Sequence, residues 1–419
     1  MKKTIYTKML AVAIAAATTI GTVGATAYVP VNVMADAVAQ ETTVNQTTAI
    51  TGKIGNEVKY SYDTVKKELT ISGKGEMWDG AKIKGVLDAE KIVIEEGITS
   101  VGGENFIDFQ NKLDVTLPST LTTINEKAFN QVKKIAFTKN IKKVCTNAFN
   151  SIEIAEFMGD VVGFDYESIA VKKVILHGAA QELAKATGGV IDGVVIAEDN
   201  EKVQIKDLLV LSRDGKTLYC STNYTRMGDD IEKVTIPDTV ETIVPYALTG
   251  SRISYLILGG NVENIGESAF ESSVIKKITV NKKLKTIESY AFNNTRLKKI
   301  KINKNTVVKP AAFDSNVVIE HNTKFKKMQA PIYSATLKKN TINVVFNKLA
   351  GVKNYEVTVK KGKTVEKYTT TKNSISKKLS AKLKKGNKKI TVTVRGYKLV
   401  NKKKVFTKAS IPVTVENME

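Results

Sequence analysis

The sequence predicts a mainly β protein: a right-handed repeat solenoid with an N-terminal β-hairpin cap and a C-terminal β-sandwich. Two apolar patterns alternate along the chain and recur every 20 to 22 residues, which predicts the solenoid. After His321 the repeat stops and strand-like runs of a different kind follow, which predicts the separate C-terminal domain. With 419 residues, 42% hydrophobic and 25% charged, the chain can bury a sizeable core.

In the first pattern an apolar residue precedes two polar positions, an apolar residue, any residue and a third apolar residue. Its copies, the weaker ones last, are Val132/Ile135/Phe137, Val171/Val174/Leu176, Ile231/Val234/Ile236, Ile253/Leu256/Leu258, Ile275/Ile278/Val280, Leu297/Ile300/Ile302, Ala89/Ile92/Ile94 and Ile152/Ala155/Phe157. The second pattern has two apolar residues three apart and ends on Ala-Phe. Its copies, the variants last, are Leu121/Ile124/Ala128/Phe129, Ile141/Val144/Ala148/Phe149, Val262/Ile265/Ala269/Phe270, Leu284/Ile287/Ala291/Phe292, Val240/Ile243/Ala247/Leu248 and Val308/Ala312/Phe313.

One such unit cannot bury its own apolar face, whereas stacked units bury a continuous ladder between two rows of short strands. Apolar residues at alternate strand positions suit a half-buried strand. The Ala of Ala-Phe is expected where the coil turns inward, and the Phe is expected to fill the wide end of the core. The motif is therefore interpreted as structural, without chemistry of its own.

Segments such as Ile287–Phe292 (IESYAF) resemble the BspA-like leucine-rich-repeat family of bacterial surface proteins, over roughly residues 45–323. Gly52–Gly55 and Leu69–Trp78 resemble the β-hairpin that opens many such arrays, so residues 45–88 are predicted as the cap and 89–323 as the solenoid. The repeat breaks at about 178–230, where the family often carries an expanded repeat. There an Asp-Gly turn predicts a strand pair within 207–218, and 181–187 suit a short helix.

The N-terminus predicts a secretory signal peptide, residues 1–35. Lys2, Lys3 and Lys8 precede an apolar stretch of small residues, and small-x-small cleavage patterns end at Ala27 and Ala37. No later stretch is apolar enough to span a bilayer, and the chain has no sortase-type anchor sequence near its C-terminus. The expected localisation is therefore secreted and associated with the cell surface, with any attachment non-covalent.

Residues 324–419 predict a small Lys-rich β-sandwich, from runs at Thr341–Phe346, Tyr355–Val359, Lys389–Val394 and Ile411–Val415. Gly351–Val357 and Val394–Tyr397 resemble a fibronectin type III-like module. The sequence departs from that module because Phe346 stands where Trp is usual and Ile390 where Tyr is frequent.

The positive charge is concentrated in this domain. The whole chain has a net charge of +22, and residues 324–419 carry 25 Lys and Arg against four Asp and Glu. Residues 9–323 carry 36 basic and 38 acidic residues. Such a field attracts polyanions, and the anionic cell-wall polymers are the expected partner; a merely solvated Lys-rich surface is the alternative. Specific nucleic-acid binding is not expected, because aromatic residues do not interleave with the Lys runs.

The sequence contains no recognisable catalytic, cofactor-binding or metal-binding motif. Two Cys (Cys145, Cys220) and two His (His177, His321) are too scattered for a zinc site, and the spacing leaves open whether the cysteines pair. We therefore predict a protein that is not an enzyme and takes no cofactor.

The polar positions of the first pattern are expected to line the concave face of the solenoid, where they could meet a ligand. These candidate binding residues are Lys133, Lys134, Lys172, Lys173, Tyr255, Lys276, Lys277, Lys298 and Lys299. Like charges on neighbouring strands repel unless salt screens them or an anion binds, and Glu153, Glu156 and Glu232 interrupt the stripe. Tyr255 is a candidate aromatic anchor.

These observations predict a secreted surface binding protein, an adhesin or scaffold, that recognises proteins or glycans. The resemblance implies host extracellular proteins or other cell-surface proteins as partners. A wall-associated structural protein without a host ligand is the alternative, and a glycan-active enzyme is a more remote one.

Overall fold

A computed structural model of the protein describes residues 49–189, 191–222, 230–384 and 389–418. The predicted signal peptide, residues 1–35, lies outside the described residues. The described chain is mainly β and forms a β-solenoid with almost no helix. None of its helices is long and apolar enough to cross a membrane.

Three antiparallel strands begin the described chain: β1 (Ile50–Lys53), β2 (Gly55–Asp63) and β3 (Glu68–Met77). The first half of β3 pairs in parallel with β4 (Lys91–Ile94) and its second half with β5 (Ile98–Val101). Gly73 lies between the halves with φ +117, and a Cβ there would come 1.9 Å from the carbonyl oxygen of Glu57. β3 therefore begins both strand rows of the solenoid.

Two rows of parallel strands continue from β3 through the first block of repeats. The longer strands follow β4 in the order β6, β8, β10, β11, β12, and the short strands follow β5 in the order β7, β9. Their bounds are β6 (Leu113–Thr116), β7 (Thr123–Ile124), β8 (Phe129–Phe137), β9 (Lys143–Val144), β10 (Phe149–Phe157), β11 (Ile169–Leu176) and β12 (Ile191–Ile196).

The core of each coil consists of the residues that the two patterns predicted. Nearly all of them are buried; Ile231, Ile278 and Val280 are only partly buried. The Phe rings stack from coil to coil: Phe129 lies 4.9 Å from both Phe106 and Phe149, centroid to centroid. A buried ring between two rings gains aromatic contact on both faces, so the ladder joins each coil to its neighbours.

The residue before the small or polar residue of this motif (Ala in most coils, Asn105 and Ser168 in two) has a left-handed backbone conformation in successive coils. The positions are Glu104, Lys127, Asn147, Glu167, Tyr246, Ser268, Tyr290 and Ala311, with φ between 49° and 62°. Few non-glycine residues adopt this conformation, and it carries a cost of about 1–2 kcal/mol. The amide of each position is satisfied by the next coil; for example, Lys127 N–H donates to the Asn147 carbonyl at 3.0 Å.

The expanded repeat contains the short helix and the hairpin that the sequence predicted. Helix α1 spans Leu183–Ala186, and β13 (Val203–Lys206), β14 (Leu209–Ser212) and β15 (Thr217–Ser221) follow as an antiparallel meander. Both faces of the β14–β15 hairpin are buried. Val210 and Cys220 belong to the apolar cluster of the first block, whereas Leu211 and Leu218 belong to that of the second block.

The second block resumes the two rows. β15 pairs in parallel with β17, and the short-strand row continues through β19, β21 and β23; the longer strands form one sheet of β16, β18 and β20 and another of β22 and β24. The bounds are β16 (Ile231–Thr235), β17 (Thr242–Ile243), β18 (Ile253–Ile257), β19 (Asn264–Ile265), β20 (Lys277–Thr279), β21 (Thr286–Ile287), β22 (Lys299–Asn303), β23 (Val307–Val308) and β24 (Val318–Asn322).

After a 3₁₀ turn at Phe325–Lys327, the chain forms two further sheets. One has the strand order β29-β26-β25-β33; the other has β28-β27-β30-β31, with β32 also paired to β30. The bounds are β25 (Ile332–Lys338), β26 (Thr341–Phe346), β27 (Asn354–Lys361), β28 (Thr364–Thr370), β29 (Ser374–Lys378), β30 (Ile390–Val400), β31 (Lys403–Phe406), β32 (Val413–Val415) and β33 (Asn417–Met418), with helix α2 at Ala381–Lys384.

The apolar core continues from the last coil into these sheets. Phe313, Ile319, Ile332 and Phe346 are buried in one cluster, and Ile319 bridges to Leu349. The buried Tyr355 accepts the Leu349 N–H at 2.8 Å through its hydroxyl, which fixes the loop that meets the last coil. The C-terminal sheets therefore cover the apolar end of the solenoid.

We predict that Phe292→Ala lowers the free energy of unfolding by about 3–5 kcal/mol, because it leaves a cavity between two rings. Phe292 is fully buried, 5.0 Å from Phe270 and 5.4 Å from Phe313. Tyr290→Ala is the control, since Tyr290 lies in the same coil and is 44% exposed; its expected cost is below about 1 kcal/mol. Denaturant unfolding measures both variants, and equal losses would contradict the ladder's role.

We also predict that Lys127→Val is less stable than Lys127→Gly by about 1 kcal/mol or more, because a β-branched residue is strained at φ 55° and glycine is not. The control pair is Lys143→Val and Lys143→Gly. Lys143 is an exposed strand residue with ordinary φ, where valine should be the more stable. The two sites should therefore rank the substitutions in opposite order in thermal unfolding; the same order at both would show that the left-handed position is not constrained.

Candidate binding surfaces

We call the solvent-facing side of the longer strands in both blocks the first-strand face. All nine predicted binding residues lie on it: Lys133 and Lys134 on β8, Lys172 and Lys173 on β11, Tyr255 on β18, Lys277 on β20, Lys299 on β22, and Lys276 and Lys298 directly before β20 and β22. The eight lysines are exposed and Tyr255 is half-buried. The structure thus brings them to one side of the strands, in two separate blocks.

In the first block the lysines alternate with carboxylates. The strand register places Glu153 between Lys133 and Lys172, with Lys112 reaching it at 2.5 Å. The hydrogen bond from Lys112, followed by the charges of Lys112, Lys172 and Lys133, holds the pKa of Glu153 below its usual range. The first block therefore presents alternating charges, a balanced polar surface rather than a cationic stripe.

The second block carries an excess of lysine around one aromatic ring. Tyr255 lies between Lys233 and Lys277 in the register of β16, β18 and β20. The Lys277 ammonium lies 4.9 Å from the centroid of the Tyr255 ring, and the Tyr255 hydroxyl lies 2.7 Å from Thr279 Oγ1. Such a cation–π contact at an exposed site is worth about 0.5–1 kcal/mol, so Lys277 and Thr279 together restrict the position of the ring.

The remaining lysines of the second block differ in their partners. Lys299 is paired with Glu320 at 2.6 Å, which lowers the pKa of Glu320. Lys276 and Lys298 have no ion pair among the residues that the structure describes. We define the Tyr255 patch as Tyr255 with Lys233, Lys276, Lys277 and Lys298. None of its four lysines has an ion-pair partner among the described residues, so the patch carries positive charge that a partner could neutralise.

A groove of about 430 Å³ adjoins the first-strand face at the end of the first block. Lys172 contributes a positive charge to it and Glu167 and Asp192 contribute negative charges. Asn150 and Ser151 contribute polar groups, and Ile169 lies at its wall. Lys172 is the predicted binding residue that this groove contains. Its mixed lining suits a neutral polar group better than a strongly charged one.

A second groove, of about 420 Å³, was not predicted from the sequence. Tyr166, Tyr246 and Tyr290 line it together with Glu267 and Glu271. The rings of Tyr166 and Tyr246 lie 4.9 Å apart, although the residues are 80 positions apart in the chain. The signal that could have found part of it is the position before the Ala of Ala-Phe, which holds both Tyr246 and Tyr290 and turns outward.

The described residues contain no group of three His, Cys, Asp or Glu placed to hold a metal ion. Cys145 and Cys220 are both free thiols. Cys220 is fully enclosed, and burial raises its pKa to about 12, so that it is no nucleophile at neutral pH.

The two histidines occupy opposite environments. His177 lies between Asp199 (Nδ1 to Oδ1, 2.7 Å) and Glu156 (Nε2 to Oε1, 3.1 Å), so that only the protonated ring satisfies both carboxylates. The hydrogen bond with Asp199 is the larger cause that raises the pKa of His177. His321 packs between the last coil and the C-terminal sheets, where burial lowers its pKa.

We therefore predict two histidine titrations on opposite sides of the ordinary pKa of 6.5. His177 stabilises the fold below its unfolded pKa, and this contribution is lost as pH rises through its raised folded pKa. His321 has the opposite sign: its contribution is present above pH 6.5 and is lost as pH falls through its lowered folded pKa. NMR titration of the ring signals, assigned with His177→Gln and His321→Gln, measures both; a lower pKa for His177 than for His321 would refute the assignment.

Comparison with known proteins shows which proteins the repeats of this chain resemble. No curated protein matches the chain at a significant level. Among solved structures, the pneumococcal vaccine antigen PcpA has 16% identity and a TM-score of 0.44, covering 68% of this chain and 84% of that one. A leucine-rich repeat protein from Eubacterium ventriosum has 18% identity and a TM-score of 0.37, covering 63% and 94%. Residues 84–160 and 223–342, in six copies, match the family described as BspA type Leucine rich repeat region, which the repeats of this chain therefore resemble.

Proposed function

We propose that the protein is a secreted bacterial surface binding protein, an adhesin or scaffold, that recognises a protein or glycan through the first-strand face. The repeats support this because their apolar residues are committed to the core, which leaves the exposed positions free to vary. The match of the repeats to the BspA type of leucine-rich repeat also favours a surface binding role. Secretion rests on the signal-like N-terminus.

The observation that carries the proposal is the Tyr255 patch. An aromatic ring that lies between Lys233 and Lys277 in the strand register, with Lys276 and Lys298 exposed in the same patch, combines apolar area with unneutralised charge. Tyrosine is enriched in binding hot spots because it offers a large amphipathic surface with little conformational entropy to lose. The partner that fits is a protein or glycan surface with carboxylate, sulfate or phosphate groups beside an apolar face.

We further propose that residues 324–419 form a fibronectin type III-like β-sandwich that associates with anionic wall polymers without a covalent bond. The strand orders β29-β26-β25 and β28-β27-β30-β31 support the sandwich. The excess of 25 basic over four acidic residues supports the association. We also propose that β1–β3 act as the N-terminal cap, because β3 pairs with the first strand of the solenoid.

The test uses the full chain, because the apolar core is continuous between the last coil and the C-terminal sheets. The probes are immobilised collagen, fibronectin and laminin, a glycan array, and isolated cell walls, each in about 0.15 M and 1 M NaCl. We expect Tyr255→Ala, and the double variant Lys276→Ser/Lys277→Ser, to weaken binding to a protein or glycan probe at least tenfold, or about 1.4 kcal/mol. Wall binding should be unaffected by these changes and lost in 1 M NaCl.

The matched control is Lys283→Ser/Lys285→Ser, which removes the same charge from the short-strand side of the same coil. Equal weakening by the two double variants would move the binding surface away from the Tyr255 patch. Wall binding without any protein or glycan partner would leave the alternative of a wall-associated structural protein. Turnover of a glycan would support the enzyme alternative instead.

A further inference from the structure

A third groove, of about 470 Å³, lies where the last coil meets the C-terminal sheets. Three separate chain segments form it: the turn before β23 with Lys304, the segment from His321 through the 3₁₀ turn with Lys326 and Lys327, and the segment after β31 with Lys408. We call it the junction groove. It is therefore present only when the solenoid and the C-terminal sheets are packed together.

Hydrogen bonds to backbone atoms hold the walls of the junction groove together. His321 Nε2 lies 3.3 Å from the backbone nitrogen and 3.0 Å from the carbonyl oxygen of Gln329. Gln329 in turn donates from Nε2 to the Ala409 carbonyl at 2.5 Å and pairs with Lys408 in an isolated β-bridge. Lys327 N–H donates to the Lys324 carbonyl at 2.9 Å, which closes the 3₁₀ turn. The lysines thus project from an ordered frame.

The junction groove is cationic without internal compensation. Its lining contains Lys304, Lys326, Lys327 and Lys408 and no Asp or Glu. Within the described residues none of the four has an ion-pair partner, whereas Lys285 and Lys299 on neighbouring coils are each paired at 2.6 Å. Glu320, next to His321 in sequence, is the partner of Lys299. Four like charges around one groove repel one another, and an anionic ligand would relieve that repulsion.

We propose that the junction groove binds a segment of a phosphodiester-linked polymer, which rests on the proposed association with anionic wall polymers and assigns it a site. All four cations are lysines. Lysine is a compact point charge that can bind phosphate oxygens from several directions, without the planar guanidinium fork with which arginine holds a carboxylate or phosphate in two parallel hydrogen bonds. Val307, which is 41% exposed in the lining, offers an apolar contact for the carbon links between phosphates.

The size of the groove favours a polymer over a single ion. A groove of about 470 Å³ has room for many water-sized groups, because one water occupies about 30 Å³ in the liquid. A single phosphate therefore fills only part of it. The lysines also come from three segments around the groove rather than from one turn. A chain of two or three linked phosphates can meet several of them at once, and each contact adds to the salt dependence of binding.

The experiment compares two variants of the full chain that lose the same charge. The groove variant carries Lys304→Gln, Lys326→Gln, Lys327→Gln and Lys408→Gln. The control variant carries Lys338→Gln, Lys360→Gln, Lys377→Gln and Lys378→Gln, at exposed positions of the C-terminal sheets outside the groove. Thermal unfolding checks that both fold. The labelled probe is poly(glycerol phosphate), with poly-glutamate of equal charge and inorganic phosphate as competitors, at several salt concentrations.

We expect the groove variant to bind poly(glycerol phosphate) at least tenfold more weakly than the control variant, with a smaller dependence on salt. Equal weakening would overturn the groove while leaving the general association with polyanions intact. Failure of the unchanged protein to bind the polymer or cell walls would overturn the association itself. Poly-glutamate competing as well as the polymer would overturn the assignment to phosphate, and inorganic phosphate competing equally, phosphate for phosphate, would overturn the assignment to a polymer.

Discussion

The stacking of one coil on the next is the interaction on which the rest of this structure depends. A single coil has a few apolar side chains and two short strands, and it can bury them only against neighbours on both sides. Phe129 shows the consequence, because its ring is 4.9 Å from a ring above and a ring below. The left-handed residues before the Ala positions follow from the same requirement. Their strained conformation turns the backbone so that each amide reaches the next coil.

Stacking also requires that the segment interrupting the repeat be apolar on both faces, because it packs against a core on each side. At the expanded repeat the β14–β15 hairpin has Val210 in one core cluster and Leu211 in the other. A strand buried on both faces has no polar alternation, which explains the uninterrupted run of apolar residues from Leu209 to Leu211. The hairpin begins the short-strand row of the second block, because β15 pairs in parallel with β17. The hairpin thus lies between the two core clusters, in a segment with a different sequence pattern.

The sequence predicted the core well because a period of 20 to 22 residues repeats one physical problem many times. It predicted the C-terminal sheets less completely. Strands β25, β28, β29, β31 and β33 were not expected. Strand β28 shows why: its residues alternate between partly buried and exposed, and three of the seven are Thr. Such a strand is specified by its partner β27 more than by its own apolar residues.

For the candidate binding residues, the repeat period predicts which side chains are exposed, whereas their charged and aromatic neighbours depend on contacts between distant parts of the chain. Period alone predicts that Lys133 and Lys172 are exposed and that Glu153 interrupts the stripe, and the register places Glu153 directly between the two lysines. The tyrosine groove depends on Tyr166 meeting Tyr246 across the expanded repeat, a contact that no local pattern specifies. In the second block, too, only the structure shows that Lys299 is paired with Glu320, whereas Lys276 and Lys298 have no ion-pair partner among the described residues.

The continuity of the core also bears on how the two charged regions can act. Ile319, Ile332 and Phe346 share one buried cluster, so the C-terminal sheets are packed on the last coil rather than tethered to it. Packing leaves their lysines on exposed positions, since burying an unpaired charge is far more costly than solvating it. A groove between packed elements is already formed before a ligand arrives, and the ligand loses less binding energy in ordering it. Under the proposed function, one surface on the repeats and a preformed groove at their end would let two weak contacts add in one complex.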